Sequence, residues 1–185
     1  MIIRKEGKET EMPKRTDRIR LAVEAVELTI PSIRVLFATR AKRRDLCIVI
    51  VDPTIKPWEV ETSGWDDPVF RRDVVLHQYD FCPLGKWERP YDAIATAKAY
   101  QAWREGQPNI LTNMLCAASL RTNDTVYWGS AVYNGLVVAA SGIQSHFDMM
   151  ISMWVAVAYQ HLAQDELQKF MKENPEKGFL VQGDA

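Results

Sequence analysis

Apolar residues recur at helical spacing from Ile19 through Ala22, Val23 and Val26, and again at Ile33, Leu36 and Phe37. This predicts a helix with Thr16 as its N-cap and Asp17 in its first turn, which Pro31 either kinks or divides in two. Leu46–Val51 is an almost unbroken apolar run, β-branched at its end, as expected of a strand buried on both faces. Residues 58–62 alternate and predict an outer strand, and residues 74–81 a further one. Residues 91–104 predict a helix whose small face carries Ile94, Ala95, Lys98, Ala99 and Ala102, stopped by Gly106 and Pro108. A shorter helix over 110–120 follows. A hairpin of 125–132 with 136–140 then turns at Asn134-Gly135, a pair suited to a type I′ turn. Ser145 and Asp148 have capping-box spacing and introduce a last long helix over 149–172. Helices and hairpins in this order imply an α+β fold, an antiparallel sheet flanked by helices, in a single domain over 16–174. Residues 1–15 read as a charged flexible tail and 175–185 as a C-terminal tail.

Composition narrows the function only by exclusion. The 185 residues carry 23 Lys plus Arg against 24 Asp plus Glu, a formal net charge of −1. That gives no charge excess for holding nucleic acid. The basic run Arg40, Lys42, Arg43 and Arg44 is the one local hint of an anion partner, and it equally suits a solvated helix C-terminus. No apolar run reaches the roughly 18 residues of a membrane span. The N-terminus lacks the apolar core of a secretory signal. Cys47, Cys82 and Cys116 form neither a disulfide framework nor a zinc motif, so a reducing cytoplasm is the expected compartment.

Three segments carry a family resemblance. Val49-Ile50-Val51-Asp52 looks like a "VVD" strand and turn. Residues 92–102, with Ala95, Lys98, Ala99 and Ala102, look like an "A-x-x-KA-x-x-A" helix. Residues 134–143 look like a "G-x-x-VGAIGVSG" strand, with Asp148 near the Asp that follows it. In this order they resemble the GlcG/HbpS group, related to the C-terminal domain of PduO-type proteins. The resemblance implies a profilin-like fold, self-association into homo-oligomers and, in some members, binding of haem or another small tetrapyrrole. It also implies an association with small-molecule catabolism.

Two places could carry chemistry. At the first, Gln144, Ser145, His146 and Asp148 stand where a buried strand meets a helix N-terminus, a natural anion site. His146 there could act as a base or ligand with Asp148 orienting it. At the second, His77 and Tyr79 share one face of a strand while Gln78 and Asp80 share the other. If the two places converge, His77, His146 and a carboxylate suit a divalent metal, and His77 or His146 with Tyr79 suits haem. Lys98 is the lone charge in its Ala-rich helix face, either an amine for catalysis, a carboxylate partner or a snorkelling side chain. Trp65, Trp87, Trp103 and Tyr91 could floor a ligand pocket or seal a subunit interface. Three readings follow. One is a small-ligand-binding protein with its site at His77, Gln144, His146 and Asp148. Another is an enzyme with His146 or His77 as base and Lys98 or Tyr79 as electrophilic partner. The third is a non-catalytic oligomeric subunit.

Overall fold

The computed structural model describes residues 14–81 and 85–175. Both expected tails therefore fall almost wholly outside the described residues. The elements are α1 (Arg15–Thr39), β1 (Leu46–Val51), a π-turn (Phe70–Val74), β2 (Val75–Phe81), α2 (Tyr91–Glu105) and α3 (Asn109–Leu115). A 3-10 turn (Ala117–Ser119), β3 (Ser130–Tyr133), β4 (Leu136–Ser141) and α4 (Ser145–Glu173) complete them. The four strands form one antiparallel sheet in the order β2-β1-β4-β3. The α+β architecture with helices against an antiparallel sheet is the one the hydrophobic pattern predicts.

β1 and β4 are buried along their whole lengths because both sheet faces are covered. Leu46, Ile48, Ile50, Leu136, Val138 and Ala140 pack into one core with α1 and α4. Cys47, Val49, Val51, Val137 and Ala139 pack into the other, beneath α2. Ala95, Ala99 and Ala102 are fully buried there, and their small side chains bring the α2 backbone close to the sheet. Phe70, Tyr100 and Trp103 close this layer with ring centroids 5.0–6.0 Å apart.

Several local expectations change. α1 starts at Arg15 after Lys14 because Asp17 reaches back to accept the Lys14 N–H at 3.1 Å, so Thr16 lies inside the helix. Pro31 also lies inside α1, which remains one helix. Residues 58–62 form no strand. The loop between β1 and the π-turn is folded into turns by its own acids. Asp52 accepts from Thr54, Glu59 from the Lys56 N–H and Asp67 from Ser63. Trp58 is left 82 % exposed. The expected strand over 125–132 shrinks to Ser130–Tyr133, since side chains of α3 capture the backbone before it. The Asn109 side chain donates to Tyr127 O and accepts from the Gly129 and Ser130 N–H groups, while the Asn113 amide donates to Val126 O. At Asn134-Gly135 both residues have positive φ, 48° and 82°, as the hairpin turn requires.

Gly142 ends β4 with φ +147°, and a Cβ there would stand 2.1 Å from Asp45 O. Glycine is thus needed both for the backbone conformation and for the close approach of the chain entering β1. Gly142→Ala is expected to destabilise the fold by about 3 kcal/mol, read as a lower urea midpoint at unchanged m-value.

Candidate functional site

Lys98 lies near the middle of α2 and exposes 1 % of its surface. Its Nζ donates to Ala140 O at 2.8 Å and to Asp148 Oδ2 at 3.0 Å. Asp148 comes from the first turn of α4, so the ion pair joins helices that cover opposite faces of the sheet. The other carboxylate oxygen accepts the Ile143 N–H at 3.2 Å, and the Gly142 N–H adds a further bond. Burial pulls Lys98 below its ordinary value and pushes Asp148 above its own, and each partner opposes the other's shift. Both shifts move the pair towards sharing one proton between amine and carboxylate.

Gly129 makes the meeting possible. A Cβ at this position would lie 2.6 Å from Asp148 Cβ and 2.9 Å from Lys98 Nζ. The loop is pinned over the pair by Asn109, which also touches Gln101, and by Ser152, whose hydroxyl donates to Gly129 O at 2.7 Å.

A cavity of about 50 Å³ opens beside the pair, lined among others by Arg43, Arg89, Tyr91, Lys98, Ser145 and Asp148. Its charged lining is thus three cations and one carboxylate. Asp45 and Glu88 stand nearby and act electrostatically on Tyr91. Tyr91 exposes 3 % of its surface, and its hydroxyl finds no hydrogen-bond partner among the described residues. The Trp87 indole N–H, edge-on to Tyr91 at 6.1 Å, likewise has none. A buried hydroxyl without a partner is costly unless something else fills the role. Ser145 opens α4, where first-turn N–H groups favour negative charge.

The residues singled out from sequence divide into two groups. Lys98 and Asp148 meet. Gln144 is the N-cap of α4, and no side-chain capping bond forms there. The expected capping box is thus replaced, since Asp148 turns back to Ile143 and across to Lys98. His146 is exposed, meets the Phe147 ring at a 50° tilt with centroids 4.2 Å apart, and does not line the cavity. His77 and Tyr79 face Ile50 and Ile48 across the β1–β2 register and share one sheet face. Ser141, where β4 ends, faces Cys47, and Cys47 faces Asp80. His77 thus sits towards the other end of the edge strand, about 14 Å from Ser141 on the usual strand rise and spacing. The register keeps His77 away from the start of α4, while Tyr79 packs against the core that α1 and α4 cover. Trp65 and Trp103 act as staples, donating to Asn123 O and Ile55 O, and only Trp87 and Tyr91 stand by the cavity.

Among the described residues no three His, Cys, Asp or Glu cluster to hold a metal ion. A tetrapyrrole needs an enclosure of several hundred Å³. The cavity at Lys98 is far smaller. Among the described residues, a cavity of about 380 Å³ between α1 and α4 and one of about 320 Å³ beside Asp52 are larger, and neither is lined by a histidine. No helix of the described residues is long and apolar enough to cross a membrane. No protein-family model, curated protein or solved structure matched the chain.

Removing one member of the ion pair leaves the other buried and uncompensated. Lys98→Met is expected to cost about 3–5 kcal/mol in urea unfolding, and the double variant Lys98→Met/Asp148→Leu to recover most of that loss. Equal stability of the single and double variants would contradict a coupled pair.

Proposed function

We propose that this protein is a small-ligand-binding domain of the GlcG/HbpS kind whose ligand is a short organic anion held at the Lys98–Asp148 cavity. The observation that carries this reading is the buried, unpartnered Tyr91 hydroxyl in a cavity with Arg43, Arg89 and Lys98. A carboxylate supplies what these donors lack, an acceptor with two oxygens and a compensating charge. At roughly 10–15 Å³ for each water position, the space equals about four waters, enough for an acid of a few heavy atoms. Support for the family reading comes from the placement of the resembling segments. They form β1, α2 and β4, which pack on one another, and Lys98 from the second segment pairs with Asp148, which follows the third in α4.

Acetate and pyruvate are expected to bind and raise the thermal midpoint, and the uncharged isostere acetamide is not. Tyr91→Phe should weaken acetate binding about tenfold, the loss of one hydrogen bond to a charged group. Equal binding of acetamide and acetate would overturn the reading.

Self-association belongs to the same proposal. Leu111, Met114 and Leu115 on α3 and Val126 and Tyr127 in the loop bound to it are exposed together, an apolar surface suited to a second copy of the chain. Light scattering is expected to give a homo-oligomer that Leu115→Glu dissociates, and a monomeric parent protein would contradict it.

A further inference from the structure

The anion cavity has an amine at its wall, and the surroundings of that amine differ from those of a purely structural lysine. An ammonium group carries three donors. Two of those on Lys98 are spent on Ala140 O and Asp148, which leaves one for whatever enters the cavity. The adjacent carboxylate is held in place by backbone N–H groups, so it can take and return a proton without moving. Arg43, Arg89 and the Tyr91 hydroxyl supply a separate set of donors in the same cavity, able to hold a substrate carboxylate while the amine addresses a neighbouring carbonyl.

We propose that Lys98 forms an imine with short 2-oxo acids, Asp148 serving as its proton shuttle and Arg43, Arg89 and Tyr91 holding the substrate carboxylate. This rests on the anion-binding reading above and adds a covalent step to it. Proton transfer from Lys98 to Asp148 frees the amine. The nitrogen lone pair attacks the keto carbon as the C=O π pair moves to oxygen, and transfer of a nitrogen proton to that oxygen gives a carbinolamine. The nitrogen lone pair then expels the hydroxyl, which leaves as water with the proton from Asp148. The product is a protonated C=N bond, with one water released and Asp148 again a carboxylate. No oxidant or reductant takes part. The buried setting favours the uncharged amine that this chemistry requires.

The test is reductive trapping on the full chain. Pyruvate with sodium cyanoborohydride is expected to add one reduced pyruvyl group per chain, mapped by peptide mass spectrometry to the α2 peptide holding Lys98. Acetate should protect against it. Lys98→Arg should abolish the adduct, and Tyr91→Phe, which leaves the ion pair intact, should slow trapping about tenfold. Mapping on the unaltered protein keeps the test valid if Lys98→Arg fails to fold. Pyruvate binding seen by NMR without an adduct at Lys98, or an adduct spread over surface lysines, would overturn the imine and leave the binding function standing. Absence of both binding and adduct would overturn both.

Discussion

A lysine and an aspartate removed from water impose demands on everything around them. The attraction within the pair offsets the loss of hydration only if the remaining donors and acceptors are also met. Here the demands are distributed over β4, the turn after it, α2 and α4. The end of β4 gives a carbonyl to Lys98, the turn after it gives N–H groups to Asp148, and α2 and α4 bring the two charges in from opposite faces of the sheet. The order of the layers, the length of β4 and the point where α4 begins all meet at this contact.

The glycines and the buried amides are explained by the same constraint. Gly129 leaves room above the pair and Gly142 lets the backbone pass against Asp45. Asn109 satisfies the chain that carries Gly129 with bonds a strand partner would otherwise supply. What stays unsatisfied among the described side chains is confined to Tyr91 and Trp87, next to the cavity. These are the donors that the proposed anion would satisfy.

The sheet and the helices were legible because period and punctuation agree along most of the chain. The run Leu46–Val51, the Asn134-Gly135 turn and the Gly106 stop each identify an element by local chemistry. Residues 58–62 and 125–129 misled because side chains compete for their backbone, Glu59 accepting from the Lys56 N–H in a turn and Asn109 and Asn113 binding the chain from Val126 to Ser130, and alternation alone does not show such competition. The site was legible in part. Lys98 stood out as a charge in an Ala-rich face, and Asp148 as a polar residue at a helix start. That they meet depends on two helices crossing opposite sheet faces, which no local pattern encodes. His77 and His146 drew attention through residue type, and the register keeps His77 away from the end of β4. Tyr91 was visible as an aromatic beside other aromatics. Its lack of a hydroxyl partner is a property of the folded molecule alone. Arg43 lay within the basic run that hinted at an anion, and it is exposed like Lys42 and Arg44 beside it, so nothing in the sequence marked it as the one that lines the cavity.

The most direct measurement is a high-resolution crystal structure of the protein grown in acetate. The expected result is a carboxylate in the cavity, accepting from the Tyr91 hydroxyl and from Lys98 Nζ, with the Lys98–Asp148 contact retained. A Tyr91 hydroxyl bonded to another protein group, with no anion beside Lys98, would contradict the account.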